Sequence, residues 1–326
     1  MKAAVRDRYG SVDVVEVREV DRPQPTDDQV LVRVRAASVN RADLDALGPK
    51  PAFARLFMGV RAPRAPGLGL DVAGEVEAVG PKATRFKVGD RVFADAYLYR
   101  SGAFADYVCA REKAFLPIPV GLTFEEAATL PHSAVLAVQG LRLRGGRTIK
   151  AGDRILIDGA SGNVGPFAVQ IAKALGAEVT GVARTEKLDF VRSLGADHVI
   201  DYTTTDYTKG GERYDWILDT DSHHSVLAIR RVLNPGGVYV TLGGTARTIL
   251  AAILLGLVVS RLSGKHMGLL IWWKPFNPPD VATVTDLMAA GSVKPAIDRR
   301  YPLAEVADAL RWVDDGRARG KVIVLP

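Results

Sequence analysis

The chain has 326 residues, which is long for one hydrophobic core and suits two domains of about 150 residues each. Its 48% apolar and 25% charged residues are typical of a soluble globular protein and exclude a largely disordered one. The net charge of +6 favours anionic ligands, but the arginines are scattered rather than clustered, so we expect no nucleic-acid partner.

The single cysteine, Cys109, rules out a disulfide within the chain and a structural zinc site made of cysteines. The first residues, "MKAAVRDRYGSVDVVEV", contain neither the apolar segment nor the cleavage site of a secretory signal. We therefore expect a reducing, cytoplasmic location.

Residues 1–120 predict a β-rich domain. The run "VLVRVRAASV" (30–39) alternates apolar and polar residues, as a half-buried strand does, and "DVAGEVEAVG" and "DRVFADA" follow as further short strands. After these strands the pattern becomes helical. Thr123 and Glu126 have the spacing of a capping box, and Pro131 interrupts the helix that they begin.

Residues 150–245 alternate buried apolar strands with helices, which indicates βαβ units on a parallel sheet. Two of these helices are expected to end at Gly176 and Gly195. The tail carries two more helical patterns and a last strand, which we expect to return to the first domain. The predicted fold class is α/β, with a doubly wound parallel sheet beside a β-rich domain.

The segment "TILAAILLGLVVS" (248–260) is strongly apolar. Its thirteen residues are fewer than the ~20 that a helix needs to span a bilayer, so we expect no integral membrane span. We interpret it as a buried helix or as a helix in a subunit contact. The alternative is an amphipathic helix that lies against a membrane, with basic flanks at Arg247 and Arg261.

A glycine-rich turn joins the first strand of the βαβ region to its helix, and it consists of Ala160, Ser161, Gly162, Asn163, Val164 and Gly165. Gly162 lets the backbone approach a pyrophosphate, and Gly165 lets the helix pack closely on the strand. Ala160 suits the tight turn if its φ stays negative. The N–H groups of Asn163 and Val164 would face the phosphates from the helix N-terminus. The turn predicts a dinucleotide site, and a purely structural turn is the alternative.

The end of the second strand favours NADP over NAD. An NAD site has an acidic residue there, which binds the ribose 2′-hydroxyl. Here Arg184, Thr185, Glu186 and Lys187 follow the strand instead. We predict that Arg184 and Lys187 flank a 2′-phosphate and that Thr185 donates its hydroxyl to it. Glu186 is expected to face away. The alternative is that all four are solvated residues of the next helix.

Motifs along essentially the whole chain carry a family resemblance: "SVNRADL" (38–44), "PGLGLDVAGEVEAVG" (66–80), "FKVGDRVFA" (86–94), "GAFADYV" (102–108), "ATLPHSAVLAVQGL" (128–141), "GASGNVGPFAVQIAKALGAEV" (159–179), "SLGADHVIDY" (193–202), "YDWILDT" (214–220), "LNPGGVYVTLGG" (233–244) and "RGKVIVL" (319–325). With these motifs the chain resembles the medium-chain dehydrogenase/reductase superfamily, in particular its zinc-free quinone oxidoreductase branch.

The resemblance implies a GroES-like catalytic domain formed by residues 1–122 and 277–326, and a Rossmann domain formed by residues 123–276. It implies NADPH as the cofactor and a homodimer or tetramer as the assembly, of which we expect the homodimer. The implied reaction is hydride delivery to a quinone or to the β-carbon of an α,β-unsaturated carbonyl compound. The expected partner is therefore a small, lipophilic molecule.

Zinc-dependent members of the superfamily hold a catalytic metal, and the resemblance implies that this chain does not. By motif alignment, Asn40 stands where those members have their first cysteine, and Leu70 stands where they have a histidine. Asp71 replaces the glutamate beside that histidine, and only His132 stands near the third ligand. One histidine and a neighbouring acid do not make a three-ligand zinc site.

The resemblance makes Asn40, Asp43 and His132 the catalytic candidates around the nicotinamide. Asn40 would bind the substrate carbonyl or the cofactor, and Asp43 would hold the ribose or orient a loop. His132 would donate a proton, and a packed histidine after Pro131 is the alternative. Further cofactor contacts are expected at strand ends, from Tyr202 on the adenine and from Thr220, Leu242, Gly243 and Gly244 along the nicotinamide half.

The substrate pocket is predicted to include Leu70, Phe57, Trp272 and Trp273. The two tryptophans would line an aromatic pocket or a dimer edge. Residues 49–66 are interpreted as a lid over the substrate, with a core-facing helix as the alternative. Two other functions stay open: an NADPH-binding protein with little catalysis, and a zinc-free alcohol or ketone reductase that uses His132 as its acid.

Overall fold

The computed structural model describes residues 1–48, 59–96, 102–143, 146–270 and 273–326. The predicted pocket residues Phe57 and Trp272, and residues 49–58 of the predicted lid, lie outside the described residues. The chain forms two compact units. Unit 1 comprises Met1–Ser133, Pro275–Val281 and Ile297–Pro326, and unit 2 comprises Ala134–Lys274 and Ala282–Ala296.

The strands, in chain order, are β1 (Lys2–Val5), β2 (Glu16–Glu19), β3 (Gln29–Val39), β4 (Asp71–Val79), β5 (Arg91–Asp95), β6 (Tyr107–Arg111), β7 (Leu116–Pro117), β8 (Arg154–Asp158), β9 (Glu178–Ala183), β10 (His198–Asp201), β11 (Tyr214–Asp219), β12 (Leu233–Thr241), β13 (His266–Leu269), β14 (Ile297–Pro302) and β15 (Lys321–Leu325). The α-helices of the described residues are α1 (Arg41–Leu47), α2 (Phe124–Ala128), α3 (Val135–Gly140), α4 (Gly165–Ala174), α5 (Leu188–Ser193), α6 (Val226–Arg231), α7 (Ala246–Ser263), α8 (Pro278–Ala289) and α9 (Val306–Asp314).

The main sheet of unit 1 has the strand order β14-β15-β3-β4-β5-β7, and β6 also pairs with β3. In β3 the exposed Arg33 and Arg35 alternate with buried valines, so the predicted half-buried strand is confirmed. The tail returns to this sheet as predicted, because β15 pairs antiparallel with β3. Apolar residues of β3, β4, β15 and α9 pack into the core of the unit.

Helix α2 begins with the predicted capping box. The Thr123 hydroxyl accepts the N–H of Glu126, 3.2 Å away, and the Glu126 carboxylate accepts the N–H of Thr123 at 2.9 Å. A π-helical turn, Leu130–Ala134, follows at Pro131, whose missing N–H cannot continue the helical ladder. This irregular turn sets the position of His132.

The two units differ from the predicted domains in three segments, of which the shortest, residues 275–276, belongs to unit 1. Residues 123–133 belong to unit 1, because α2 packs against β3 and β4. Residues 282–296 belong to unit 2, where the Gln170 amide holds the backbone of Lys294 by two hydrogen bonds of 2.9 and 2.8 Å.

The sheet of unit 2 is parallel throughout, with the order β10-β9-β8-β11-β12-β13. Numbered from its own first strand this is the order 3-2-1-4-5-6, which defines the doubly wound dinucleotide-binding fold. The predicted fold class is therefore confirmed. Ligands of such sheets bind at the carboxyl ends of the strands, in the crevice where the strand order reverses, which is here between β8 and β11.

Helix α7 is longer than the predicted segment, and the prediction that it is buried is wrong. Only Ala252, Gly256 and Val259 are buried, whereas Leu254 is 57% exposed. Among the described residues it is the one helix whose length and hydropathy would allow it to cross a membrane. The subunit-contact and membrane-contact alternatives stay open.

Candidate active site

Unit 1 contains a fully buried cluster of polar side chains, which we call the lysine cluster. It consists of Asn40, Asp71, Ser133 and Lys321. The Lys321 ammonium donates to Asn40 Oδ1 at 2.6 Å, to Ser133 Oγ at 3.1 Å and to Asp71 Oδ2 at 3.3 Å. The side chains of Lys321 and Asp71 are both 0% exposed. A buried charge is tolerated only when it is paired and hydrogen-bonded, and each charge here meets that condition.

Strand pairing brings these distant residues together. Ser38 of β3 lies opposite both Asp71 of β4 and Ile323 of β15, so the start of β15 runs past the end of β3. Lys321, the first residue of β15, thereby reaches Asn40, which follows β3 directly. Ser38 Oγ also donates to Asp71 Oδ2 at 2.9 Å.

Asn40 is 1% exposed, and both ends of its amide are already bonded within the protein. Its Oδ1 accepts from Ser133 Oγ at 3.0 Å and from Lys321, while its Nδ2 donates to Asp71 Oδ2 at 2.9 Å. The carbonyl oxygen has two lone pairs, and both have partners. This geometry does not suit the predicted contact of Asn40 with a substrate carbonyl.

Asp43 caps helix α1 rather than facing a pocket. Its carboxylate accepts the N–H of Asn40 at 2.8 Å, and the residue is 2% exposed. Burial raises the pKa of Asp43 to about 7. Of the two predicted roles, orienting the chain fits this position and holding a ribose does not.

Burial also opposes the charges of the lysine cluster. It raises the pKa of Asp71 and lowers the pKa of Lys321, and the attraction between the two groups acts against both shifts. Asp71 Oδ1 additionally accepts the backbone N–H of His132 at 3.0 Å. Asp71 therefore links the lysine cluster to the histidine beside it.

His132 forms a pair with Asp95, the last residue of β5. The His132 Nδ1 lies 3.1 Å from Asp95 Oδ2, so the ring donates its Nδ1–H to the carboxylate. Burial pulls the pKa of His132 down, but the hydrogen bond to Asp95 and the charges of Asp95 and Asp71 outweigh it and raise that pKa. The His132 side chain is 10% exposed and that of Asp95 is 0% exposed, so the histidine is the member of the pair that solvent reaches.

The residues of this cluster do not fit a zinc ion. Leu70, at the position of the family histidine, is an apolar side chain that is 3% exposed. Asn40 and Asp71 already coordinate the Lys321 ammonium, a cation that the chain supplies itself. Throughout the described ranges no three His, Cys, Asp or Glu side chains come together as a metal site.

The glycine-rich turn of unit 2 leaves the space that the sequence predicts. A Cβ on Gly165 would lie 2.3 Å from the carbonyl oxygen of Gly159, whereas a Cβ on Gly162 would lie 3.4 Å from the same atom. The left-handed residue of the turn is Gly159, with φ +78, so Ala160 keeps an ordinary backbone. Helix α4 then begins at Gly165, with Pro166 in its first turn. Ser161, Asn163 and Val164 complete this turn.

The other predicted cofactor residues of unit 2 gather at the same strand ends. The Thr220 hydroxyl donates to the carbonyl oxygen of Asp158, 3.0 Å away, at the end of β8. The N–H of Leu242 donates to Asp219 O at 2.8 Å, and the carbonyl oxygen of Gly243 accepts the N–H of Ser222. Gly244 pairs with Ser222 as an isolated bridge. These positions border the carboxyl end of the sheet, which is consistent with a dinucleotide lying there.

The end of β9 brings Arg184 and Tyr202 together. The Arg184 Nε donates to the Tyr202 hydroxyl oxygen at 3.2 Å, and Tyr202 is 51% exposed. Thr185 Oγ1 donates to Asp201 Oδ2 at 2.5 Å. Thr203 Oγ1 donates to Asp201 Oδ1 at 2.7 Å, and the hydrogen bonds from the two threonines lower the pKa of Asp201.

Two predictions at this strand end are wrong. Lys187 is only 5% exposed, because it sits in the tight turn Thr185–Lys187. This burial does not suit the predicted position of Lys187 beside an open 2′-phosphate. Glu186 does not face away, because its Oε1 lies 3.4 Å from an Arg184 guanidinium nitrogen.

Sequence reasoning missed a pair of acids at the ends of two adjacent strands, of which Asp219 is fully buried. Asp158 and Asp219 end the adjacent strands β8 and β11 and lie opposite one another in the register. Burial raises the pKa of Asp158 to about 6 and that of Asp219 to about 7. Tyr239 donates its hydroxyl to Asp219 Oδ2 at 3.0 Å. The signal was an acid at the end of each apolar run, "ILID" and "WILD".

Sequence reasoning also missed Lys321 and Asp95. A charged residue that opens the apolar strand "KVIVL" was the only sequence signal for Lys321. Asp95 had no such signal, because it ends a short strand like many surface acids. Of the remaining predicted pocket residues, Leu70 is buried and Trp273 is half-buried in unit 2.

Two family models match the chain. The alcohol dehydrogenase GroES-like domain matches residues 26–120, and the zinc-binding dehydrogenase family matches residues 194–324. The first match lies in unit 1, and most of the second lies in unit 2. The name of the second family describes its metal-binding members, whereas the donors of the lysine cluster do not fit that metal.

Relatives and solved structures match over nearly the full length. The NAD(P)H oxidoreductase RTN4IP1, mitochondrial, of Mus musculus is 33% identical over 99% of this chain and 89% of its own length. The 2-methylene-furan-3-one reductase of Solanum lycopersicum is 31% identical over 100% of this chain and 79% of its own. The quinone oxidoreductase structure from Coxiella burnetii has a TM-score of 0.86 at 26% identity, and covers 100% of this chain and 99% of that one.

Proposed function

Because the chain belongs to the medium-chain dehydrogenase/reductase superfamily, in its quinone oxidoreductase-like branch, and is an oxidoreductase with a nicotinamide cofactor, we propose that it reduces a quinone or an α,β-unsaturated carbonyl compound with NADPH. The His132–Asp95 pair is the observation that carries this proposal. The reaction would proceed without zinc, because the residues at the family's ligand positions do not fit a metal.

When bound, the nicotinamide supplies a hydride, and the acceptor then needs a proton. His132 holds that proton, because Asp95 and Asp71 raise its pKa. Asp95 keeps the ring oriented through Nδ1 before and after the proton leaves. The lysine cluster fixes the turn that carries His132, since Asp71 binds the backbone N–H of His132 and Ser133 binds Lys321.

Within unit 2, the turn 159–165 would hold the pyrophosphate by backbone N–H groups at the start of α4. Arg184 supports the choice of NADPH, because its side chain is 39% exposed directly after β9. The exposed ring of Tyr202 beside it would pack on the adenine. We also propose a homodimer and a cytoplasmic location, although the mouse relative is named as mitochondrial.

The first test follows NADPH oxidation with a panel of quinones, enones, ketones and alcohols. We expect turnover with quinones or enones, and His132→Gln should lower kcat by about 10²–10⁴-fold while NADPH affinity stays unchanged. The matched control is His198→Gln, since His198 is 58% exposed and pairs with Glu178 in unit 2. Tight NADPH binding without turnover on any acceptor would instead indicate a binding protein, and turnover only on ketones a ketone reductase.

The second test addresses the cofactor. Arg184→Ala should weaken NADPH binding by at least about tenfold and leave NADH binding nearly unchanged, because a bidentate arginine contact with a phosphate is lost. Arg192→Ala is the control, since Arg192 is 54% exposed and pairs with Asp189. An equal loss for both cofactors contradicts the proposed NADPH preference.

A further inference from the structure

Helix α7 presents an apolar stripe to its surroundings. The stripe is formed by large side chains whose residues are about half exposed or more: Leu250 at 57%, Leu254 at 57%, Leu257 at 59%, Val258 at 52% and Leu262 at 83%. The spacing of Leu250, Leu254 and Leu257 places them on one face of the helix. An exposed stripe of this kind marks an interaction site rather than a scattered set of surface leucines.

The opposite face of α7 is fixed to the sheet. A Cβ on Gly256 would lie 2.6 Å from the carbonyl oxygen of Met267, so the helix and β13 are in close contact. Ser260 Oγ accepts the N–H of Met267 at 2.9 Å, and Ala252 and Val259 are buried along the same face. A helix held in this way cannot be surrounded by lipid, so its apolar stripe meets a partner only from one side.

The charged side chains carried by α7 and by the neighbouring α6 are all basic. Residues 222–279 contain six Lys or Arg and no Asp or Glu. Exposed Arg247 and Arg261 lie 14 positions apart, which is close to four helical turns of 3.6 residues. They therefore lie on the face of α7 that carries Leu254, one near each end of the helix. Beside α7, helix α6 adds Leu227, which is 52% exposed, and exposed Arg230 and Arg231.

We propose that α7, with α6 beside it, docks in the plane of a lipid bilayer surface that contains anionic headgroups. The leucines enter the boundary between headgroups and acyl chains, and the arginines extend to the lipid phosphates. Cationic side chains near an anionic leaflet each add to the attraction, and no acid in residues 222–279 opposes it.

A second copy of the chain fits this face less well. A two-fold interface is self-complementary, so α7 against α7 would place arginines against arginines. The elements that pack on α7, which are β13, β12 and α6, lie within residues 222–279 and supply no acid to pair with them. Like charges at an interface are repulsive, whereas an anionic bilayer complements them.

The test is flotation of the purified full chain with vesicles of pure phosphatidylcholine or of phosphatidylcholine with phosphatidylglycerol. We expect binding to the anionic vesicles that weakens with salt. The double variant L254Q/L257Q should lower the partition coefficient at least tenfold, and R247Q and R261Q about fivefold each. Leu175→Gln is the matched control, because Leu175 is 41% exposed on another helix end and should leave partitioning unchanged.

Unchanged NADPH affinity shows that each variant is folded, since these residues lie outside the proposed cofactor site. Absence of binding to anionic vesicles, or equal binding by L254Q/L257Q and the parent chain, overturns the proposal. A parent dimer that becomes a monomer in L254Q/L257Q, measured by light scattering, also overturns it, because a second copy would then cover the stripe.

Discussion

The lysine cluster of unit 1 and the glycine turn of unit 2 differ in how their side chains use space. The cluster fills a buried space with charged and polar side chains that bond to one another, and Lys321 and Asp71 are both 0% exposed. The turn keeps a space open at Gly162, where a Cβ would lie no closer than 3.4 Å to any neighbouring atom. The first site is defined by what its residues contribute, and the second by what its residues omit.

This difference decides what a substitution does. In the cluster, removal of one side chain leaves another charge without a partner, so the effect is on stability. In the turn, addition of one methyl group fills space that a ligand needs, so the effect is on affinity. Variants of the two regions therefore separate effects on stability from effects on cofactor affinity, and they follow from the largest expected effect to the smallest.

The largest effect is expected for Lys321→Met. It leaves the Asp71 carboxylate buried without its cation, and the free energy of unfolding should fall by about 3–5 kcal/mol in urea titrations at pH 7. The double variant K321M/D71N should recover part of the loss, because it removes both charges. Exposed Lys113, also in unit 1, is the control, and Lys113→Met should change stability by less than about 0.5 kcal/mol. A loss below about 1 kcal/mol for Lys321→Met contradicts a paired buried charge.

The glycine turn supplies the next comparison. A Cβ on Gly162 makes only an ordinary contact, 3.4 Å from Gly159 O, so Gly162→Ala should leave the melting temperature unchanged. NADPH affinity should nevertheless fall at least about tenfold, because the methyl group occupies the space for the pyrophosphate. Gly165→Ala is the contrast: its Cβ would meet backbone at 2.3 Å, so stability should fall as well. Unaltered affinity in Gly162→Ala argues against a phosphate at this turn.

The His132–Asp95 pair, which lies next to the lysine cluster, can be tested through the pH dependence of kcat. Activity that requires protonated His132 is lost as pH rises through the pKa of that group. Asp95→Asn removes the charge that raises this pKa, so the falling limb of the kcat profile should move to lower pH by about one unit or more. The limb should not move in Asp106→Asn, a change at a carboxylate that accepts the N–H of Lys2. An unmoved limb in Asp95→Asn would show that another group donates the proton.

The smallest effect is expected for the acids behind the glycine turn. Asp158, with a pKa of about 6, and Asp219, with a pKa of about 7, are neutral below these values and charged above them. Negative charge next to a bound pyrophosphate is repulsive, so the Kd for NADPH should rise as pH rises from 5.5 to 8, by about threefold. Asp158→Asn should flatten this rise. Asp189→Asn, at a side chain that is 99% exposed, should not change it.

The same contrast explains what the sequence could predict. The turn is local: a strand, three glycines and a helix occur within one short stretch, so their spacing alone identified the turn. The alternation of apolar strands with helices over residues 150–245 identified the parallel sheet. Asn40 and Lys321 are 281 positions apart, and only the pairing of β15 with β3 brings them together. Lys187 was misplaced for a related reason, since its tight turn, rather than its charge, decides which way it faces.

The place of β15 in the main sheet has a consequence for synthesis. Chains emerge from the ribosome with their N-terminal residues first. Most of unit 2, residues 134–274, is contiguous, whereas unit 1 needs residues 297–326 to insert β15 beside β3. Until Lys321 arrives, Asn40, Asp71 and Ser133 have no cation to organise them. The nucleotide-binding half of the protein can thus form during translation, while the histidine site must wait for the last strand to be made.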